Sequence, residues 1–277
     1  MHSAQTILIT GCSSGIGYTT AVELKKRGHQ VIATARQPDD VQRLINEGFI
    51  AVALDLADSL SIQTAVKQVI DITQGKLDVL FNNAAFGQPG AVEDLSREVL
   101  RAQFETNFFG THELTNLIIP LMRKQAYGRI IYNSSILGFV AMPFRGAYNA
   151  SKFALEGLAD TLRLELKGTG INISLIEPGP IISKFRENAF SQFQQHVDSS
   201  QSVHQKAYQK MQDRLSKPGT ATMFTLPSLA VAKKVIHAVE AKHPKRRYYV
   251  TFPTYLFAFL KRVLPTACLD AILIKIL

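Results

Sequence analysis

The chain reads Thr10-Gly11-Cys12-Ser13-Ser14-Gly15-Ile16-Gly17 directly after a short apolar run, Thr6–Thr10, and at the start of a helical pattern, Ile16–Arg27. Glycines spaced Gly-x-x-x-Gly-x-Gly allow a tight turn and let the backbone approach a pyrophosphate closely. The N-terminus of the following helix would supply free N–H groups and the positive end of the helix dipole. The stretch therefore predicts a strand–turn–helix unit that holds phosphates; the alternative interpretation is a plain glycine-rich turn.

Outward from this stretch, short β-branched runs alternate with longer helical patterns. The predicted strands are Thr6–Thr10, Gln30–Ala35, Ile50–Leu54, Val79–Asn82, Arg129–Ser134, Asn172–Glu177 and Arg247–Val250. The predicted helices are Ile16–Arg27, Val41–Glu47, Leu60–Gln74, Val99–Lys124, Gly146–Lys167 and Ala230–Lys242. Most strands are apolar nearly throughout, which is typical of strands buried on both faces. The alternation predicts an α/β fold in which helices cover both faces of a doubly wound, Rossmann-like parallel sheet, in a single domain over residues 1–277.

Two regions interrupt the alternation. Residues 183–225 form a long polar segment. Residues 250–277 form an apolar tail, in which aromatic residues are followed by Lys261-Arg262. A basic, aromatic helix can lie on an anionic membrane surface. We favour the alternative, in which the tail packs on its own domain or on a second subunit, because exposed apolar patches more often mark protein contacts. Within the predicted helix Val99–Lys124, Pro120 is expected to kink or close the helix.

The composition excludes several classes of protein. Hydrophobic residues make up 46% of the 277 residues, which is enough for a core and excludes a disordered chain. Two cysteines, Cys12 and Cys268, predict a reduced, cytoplasmic protein without a disulfide framework. The net charge of +9 lies mainly near the C-terminus without a nucleic-acid-binding module, so we expect no nucleic-acid partner. Because Thr6–Thr10 lacks a basic leader and no apolar run is long enough, we expect neither a secretory signal nor a spanning helix.

The residue after the second predicted strand is Arg36. An acid at this place would bind the adenosine ribose hydroxyls and favour NAD, whereas a cation can pair with a ribose 2′-phosphate and favours NADP. The alternative interpretation of Arg36 is a solvated loop charge. The nearby acids Asp39 and Asp40 are interpreted as caps of the following helix.

Tyr148 and Lys152 lie four residues apart in a predicted helix and so share one face. A nearby ammonium favours the phenolate, which predicts a Tyr148 pKa below the ordinary value of about 10 and a general acid or base near neutral pH. Such pairs also arise by chance, so context decides. Ser135 follows an apolar strand, where open α/β sheets present their ligand groups, and could hold a carbonyl. Asn107 is polar in an otherwise apolar helical run; its alternative role is a buried amide bonded to backbone.

Taken together, these residues resemble the short-chain dehydrogenases/reductases of the single-domain kind. The resemblance covers roughly residues 5–185 and continues more weakly to about Tyr249. The elements that carry it, in family order, are Thr10–Gly17, Asp55, Asn82-Asn83-Ala84-Ala85, Asn107, Ser135, Tyr148, Lys152 and Pro178-Gly179. Two positions depart from the family pattern: Ala85 stands where glycine is usual, and Ser183 stands where threonine is usual.

The resemblance implies a catalytic role for four residues. Tyr148 would donate a proton to the substrate oxygen as hydride arrives, and Lys152 would lower the Tyr148 pKa and bind the nicotinamide ribose. Ser135 would orient and polarise the carbonyl, and Asn107 would hold a water that links Lys152 to solvent.

With Arg36 after the second strand, we expect NADP(H) as the cofactor, and we expect no metal; the resemblance implies the roles of the other cofactor residues. Asp55 and Leu56 would meet the adenine, Asn83 and Ala84 the adenosine ribose, and Pro178, Gly179 and Ser183 the nicotinamide side. The other expected cofactor-binding residues are Gly11, Ser13, Ser14, Gly15, Ile16, Gly17, Arg36, Tyr148 and Lys152.

Within the family, the pattern is similar to the group that contains 17β-hydroxysteroid dehydrogenases, retinol dehydrogenases and bacterial NADP-dependent aldehyde reductases. That similarity implies a lipophilic aldehyde, ketone or alcohol as substrate, with residues 183–225 as a helical lid. The lid aromatics either line an apolar pocket or only pack the lid down; they are Phe185, Phe190, Phe193 and Tyr208, opposite Phe139, Met142 and Phe144. Family members commonly pair through their long helices, so we expect a homodimer or homotetramer.

Two other functions are weighed against this carbonyl reductase. A non-catalytic, NADP(H)-binding regulator would have no need of the full set Asn107, Ser135, Tyr148 and Lys152. An epimerase or dehydratase with bound NAD is disfavoured by Arg36 and by the short substrate region.

Overall fold

The computed structural model describes residues 3–216 and 222–276, so residues 217–221 of the predicted lid, Leu277 of the predicted tail, and Met1 and His2 lie outside the description. The described strands are β1 (Thr6–Ile9), β2 (Gln30–Ala35), β3 (Ile50–Ala53), β4 (Val79–Asn82), β5 (Gly128–Asn133), β6 (Ile171–Pro178), β7 (Ile181–Ile182), β8 (Leu226–Pro227) and β9 (Arg247–Val250). Seven of them form one parallel sheet in the order β3-β2-β1-β4-β5-β6-β9, and β7 pairs with β8. The predicted sheet strands are confirmed with ends that differ by at most one residue.

The described helices are α1 (Gly15–Lys26), α2 (Pro38–Asn46), α3 (Ser59–Thr73), α4 (Arg97–Phe104), α5 (Gly110–Gln125), α6 (Gly146–Glu165), α7 (Phe185–His196), α8 (Gln205–Ser216), α9 (Ser228–Glu240), α10 (Phe252–Val263) and α11 (Thr266–Leu273). Successive strand residues point to opposite faces: Ile7 and Ile9 pack in a core with α1, α2 and α9, and Leu8 packs in a core with α3, α5 and α6. The single, doubly wound, Rossmann-like domain is therefore confirmed. The strand order reverses between β1 and β4, which places the ligand crevice at their carboxyl ends.

The predicted helix Val99–Lys124 is wrong as one continuous element. The chain forms α4 and α5 with a π-helical turn, Glu105–Phe109, between them. The turn buries Asn107 and places its side-chain amide within hydrogen-bonding distance of the Phe86 backbone. Pro120 does not close the helix, because α5 continues to Gln125 with Ile118 and Met122 buried on both sides of the proline.

The two interrupting regions are largely helical. Residues 183–225 contribute α7 and α8, and the tail contributes α10 and α11. The tail packs on its own domain: Phe257 and Leu273 are buried against Ile136 and Leu137, just after β5. No helix within residues 3–216 and 222–276 is both long and apolar enough to cross a bilayer.

Candidate active site

The glycine-rich stretch forms a cradle at the carboxyl end of β1. Gly11 has a φ of +71°, and a Cβ there would lie 2.9 Å from Ala84; a Cβ on Gly17 would lie 2.2 Å from the Gly11 carbonyl oxygen. Within the described part of the chain, the side chain of Ser14 forms no capping hydrogen bond at the start of α1. The first N–H groups of α1 therefore remain available, which fits the pyrophosphate of a dinucleotide.

Asn83 holds this cradle from the end of β4. Its Nδ2 donates to the carbonyls of Thr10 (2.8 Å) and Gly11 (3.2 Å), and its Oδ1 accepts from Nδ2 of Asn133 (2.9 Å). The Thr10 hydroxyl accepts from the backbone N–H groups of Asn83 (2.8 Å) and Ala84 (2.9 Å). Sequence reasoning missed the part played by Thr10 and Asn133, although both are polar residues at strand ends.

Arg36 is exposed just past the end of β2, and no carboxylate among the described residues pairs with it. A second cation, Arg43 of α2, donates to the Ser13 carbonyl (2.7 Å) and pairs with Asp40 (3.1 Å). Sequence reasoning missed Arg43. The cap interpretation of Asp39 and Asp40 is wrong: both lie in the first turn of α2, where Gln37 is the N-cap and Pro38 begins the helix.

The remaining expected cofactor residues line the same edge of the sheet. Asp55 follows β3, and its Oδ1 accepts from the Ala57 backbone (2.9 Å), while Leu56 is buried. Pro178 ends β6, and the Gly179 N–H donates to the Val250 carbonyl (3.0 Å). These positions surround the cradle at the carboxyl ends of the parallel strands, as an open α/β site requires.

Ser135, Tyr148 and Lys152 come together beside the cradle. Tyr148 lies in the first turn of α6 beside Ser135, whose hydroxyl accepts from the Leu137 N–H (3.1 Å). The Lys152 Nζ lies 5.7 Å from the centre of the Tyr148 ring and donates to the Asn133 carbonyl (2.7 Å). Asn133 thus links the glycine cradle to Lys152 of α6.

Asn107 is buried in the π-helical turn and uses its amide on neighbouring groups. Its Oδ1 accepts from the Phe86 N–H (3.1 Å), and its Nδ2 donates to the Phe86 carbonyl (3.0 Å) and the Ser151 hydroxyl (3.2 Å). These bonds match the alternative interpretation of a buried, backbone-bonded asparagine. Its role in a water link to Lys152 stays a prediction.

The electrostatics of Tyr148 differ from the sequence expectation. Burial raises the pKa of Tyr148 to about 12 and outweighs the opposing effects of the Ser135 hydrogen bond and the Arg145 charge. Burial also lowers the pKa of Lys152 to about 8, against the attraction of the Glu156 carboxylate. The expected lowering of the Tyr148 pKa is therefore wrong in direction, because desolvation favours the neutral form of both partners.

Arg145 is a further charged residue that sequence reasoning missed. It is half-buried at the N-cap of α6. Burial lowers the pKa of Arg145 to about 10, and the like charge of Arg214 in α8 acts in the same direction. A cation at a helix N-terminus opposes the helix dipole, and that mismatch is the sequence signal that could have drawn attention to it.

The segment 183–225 contacts the site at its beginning. A Cβ on Gly15 would lie 3.1 Å from the Cβ of Ser183, and the Phe185 ring packs edge-on against Tyr148 with centroids 5.3 Å apart. Phe193 and Tyr208 are buried farther along. Tyr208 also packs on Phe144 and hydrogen-bonds Asp94, so the packing interpretation fits these aromatics better than a pocket lining.

Among the described residues, no group of three or more His, Cys, Asp or Glu side chains could hold a metal ion.

Several known proteins are similar to this chain over most of its length. A family model described as short chain dehydrogenase matches residues 5–194. The uncharacterized oxidoreductase YbbO of Escherichia coli strain K12 is 44% identical over 97% of this chain and 94% of its own length. Human 17-beta-hydroxysteroid dehydrogenase type 1 is 32% identical over 88% of this chain and 77% of its own length. A short-chain dehydrogenase structure from Streptomyces avermitilis superposes with a TM-score of 0.77 at 27% identity, covering 95% of this chain and 94% of that one.

Proposed function

The chain belongs to the short-chain dehydrogenase family of oxidoreductases, and on that premise we propose that it transfers hydride between NADP(H) and a lipophilic carbonyl or alcohol of the aldehyde, retinoid or steroid type. The observation that carries the proposal is the Tyr148 phenol, whose ring centre lies 5.7 Å from Lys152 Nζ, while Lys152 is linked through Asn133 to the glycine cradle. A family match alone would leave turnover open; this grouping supplies a proton donor and a carbonyl binder.

When bound, the nicotinamide supplies hydride to the carbonyl carbon. Ser135 donates a hydrogen bond to the carbonyl oxygen and polarises it. Tyr148 gives its proton to the same oxygen, and a pKa of about 12 keeps the phenol protonated for that task. The Lys152 ammonium stabilises the phenolate that is left, and the product is an alcohol. In the oxidative direction the same groups act in reverse.

NADP rather than NAD is proposed because of Arg36. It is an exposed cation at the end of β2 with no carboxylate partner among the described residues, and a guanidinium fork suits a 2′-phosphate. Arg43, next to Ser13, is paired with Asp40 and Glu47 and so adds little net positive charge there. We propose residues 183–225 as the substrate lid, since Ser183 lies against the cradle and Phe185 against Tyr148.

We also propose an oligomeric state, a surface contact of α10 and a cellular location. Exposed apolar side chains on α5 and α6 support pairing of these helices in a homodimer or homotetramer; examples are Leu117, Phe153 and Leu164. On α10, Phe252, Tyr255 and Phe259 are 61%, 52% and 62% exposed, which supports contact with a second subunit or, as the second candidate, an anionic membrane surface. The cytoplasmic location stays a prediction from cysteine usage.

The test is oxidation of NADPH and NADH, followed by absorbance, against lipophilic aldehydes, retinal and 17-ketosteroids. We expect turnover with NADPH well above that with NADH. Measurable NADPH binding without turnover of any carbonyl would favour the non-catalytic, NADP(H)-binding regulator. NAD that stays bound through purification would favour the epimerase or dehydratase.

A further inference from the structure

We infer that Phe185 makes the site selective for aldehydes over ketones: its ring covers the approach to Tyr148 and leaves room for a hydrogen atom, but not for a second carbon chain, on the carbonyl carbon. The inference rests on the proposed function, because it concerns the substrate of the same site. Among the proposed substrate types, it selects lipophilic aldehydes, retinal included, over 17-ketosteroids.

The Phe185 ring lies between Tyr148 and Gly87. It packs edge-on against Tyr148 with ring centroids 5.3 Å apart. A Cβ on Gly87 would lie 2.8 Å from Cζ and 3.1 Å from Cε1 of the Phe185 ring, so any larger residue at position 87 would displace the ring. Gly87 does not have a positive φ, and its backbone therefore does not require glycine. What the missing side chain provides is room for the ring.

The backbone of Phe185 is fixed from the side of the cofactor cradle. Phe185 begins α7, and its N–H donates to the Ser183 hydroxyl (3.4 Å). A Cβ on Gly15 would lie 3.1 Å from the Cβ of Ser183, so Ser183 lies against the glycine cradle. Phe185 is also 37% exposed, which places it at the mouth of the site. The ring is therefore held against Tyr148 at the place where a substrate would enter.

The core closes another side of Tyr148. Its ring packs against a buried cluster that contains Ile136, Leu137 and Phe257. A carbonyl that accepts the Tyr148 proton therefore lies between this cluster and the Phe185 ring. Of the two substituents on the carbonyl carbon, one extends towards solvent and the other meets the ring. Because the ring already rests on Gly87, it cannot move away without repacking, and a carbon atom is penalised there more than a hydrogen atom.

The test compares two compounds that differ by one methyl group on the carbonyl carbon, octanal and 2-nonanone. The quantity measured is the ratio of kcat/KM for 2-nonanone to that for octanal, with NADPH as reductant. Since aldehydes are also intrinsically more reactive, the change in this ratio between variants carries the test. Phe185→Ala should raise the ratio roughly 10- to 100-fold over wild type, the range expected for one methyl group in a tight pocket. Phe185→Leu should raise it less, and Ile72→Ala, which truncates an apolar residue of similar exposure on α3, should leave it unchanged.

Gly87→Ala gives an independent check, because the added Cβ displaces the Phe185 ring. It should change the ratio in the wild-type background and have no effect on the ratio when combined with Phe185→Ala. A ratio that Gly87→Ala leaves unmoved, or moves equally without the Phe185 ring, contradicts the packing argument.

The remaining outcomes separate the inference from its premise. If octanal is reduced and Phe185→Ala keeps the wild-type ratio, the inference is overturned and the proposed function stands. If Phe185 only buries Tyr148, Phe185→Ala shifts the pH profile for both compounds equally and the ratio stays constant, which also overturns the inference. A wild-type preference for 2-nonanone overturns it as well. If neither wild-type protein nor any variant reduces octanal, the inference and the proposed aldehyde reduction are both overturned.

Discussion

The cofactor cradle and the start of α6 hold their polar groups in different ways. In the cradle, Thr10, Asn83 and Asn133 bond one another at 2.8–3.2 Å, so the turn is set by the chain itself; among the described residues, Oδ1 of Asn133 is buried without a hydrogen-bond partner. At the start of α6, Arg145 is half-buried, and no Asp or Glu among the described residues pairs with it. Bonds within the cradle preorganise it for a ligand. The charge of Arg145 has no such compensation, and a half-buried charge without a partner calls for an explanation.

The largest effect should come from Tyr148→Phe, which removes one hydroxyl at the start of α6 and leaves the cradle intact. Removal of the proton donor should lower kcat by about 1,000-fold or more, while NADPH affinity changes less than about threefold. Steady-state oxidation and fluorescence titration measure the two quantities. Tyr132→Phe, a buried tyrosine that bonds Thr115, is the matched control and should retain activity. Surviving activity in Tyr148→Phe would show that another group donates the proton.

The next effect comes from breaking the cradle with Gly17→Ala. The added Cβ would lie 2.2 Å from the Gly11 carbonyl oxygen and 2.6 Å from Asn83 Nδ2, so backbone must move. We expect a loss of about 1–3 kcal/mol of stability and a matching or larger loss of NADPH affinity. Thermal unfolding and titration measure both. Gly157→Ala is the control: Gly157 is exposed on α6, an added Cβ meets nothing within 4 Å, and the protein should gain about 0.5–1 kcal/mol of stability. An unaffected Gly17→Ala would refute the close approach.

Arg36→Ala sharpens the comparison at the rim of the cradle. Loss of a charge-assisted pair with the 2′-phosphate should weaken NADPH binding by about 1.5–3 kcal/mol. NADH lacks that phosphate and serves as the internal control, with affinity nearly unchanged. Isothermal titration with both cofactors measures the difference. Equal losses for both would contradict the assignment of Arg36.

The smallest effect is a pH dependence that connects the two regions through Lys152. Burial lowers the pKa of Lys152 to about 8, so the ammonium is present below that pH and lost above it. If Lys152 binds the nicotinamide ribose as a cation, NADPH affinity should be flat below about pH 8 and fall by up to tenfold per pH unit above it. Lys152→Met should bind more weakly and without this pH dependence. An affinity that stays constant to pH 9.5 in wild-type protein would contradict a lowered pKa.

The cradle could be predicted from the sequence because its determinants are local. Gly11, Gly15 and Gly17 follow a strand directly, and the strand periodicity fixes which end of the sheet they reach. The same reasoning from strand ends predicts that Ser135 lies at this edge of the sheet, and the family resemblance adds Tyr148. The link from Asn133 to both Asn83 and Lys152 could not be predicted, because it depends on the side-chain rotamers of residues 50 and 19 positions apart.

The surroundings of Tyr148 at the start of α6 could be predicted less completely than the cradle. The pKa of Tyr148 was expected from one neighbour on its helix, but burial by several elements decides its direction. The packing of Phe144, just before α6, against Tyr208 of α8 joins residues far apart in the chain, and only tertiary packing sets it. The π-helical turn at Asn107 likewise replaces a regular helix for a tertiary reason, the bonds to Phe86.

The most direct test of the account follows the hydride itself. NADPH deuterated at C4 of the nicotinamide is incubated with the best carbonyl of the panel, and the alcohol is analysed by mass spectrometry. The account predicts one deuterium on the carbinol carbon with wild-type protein and no labelled alcohol above background with Tyr148→Phe. An alcohol without deuterium, or equal labelling by the Tyr148→Phe variant, would contradict hydride transfer assisted by Tyr148.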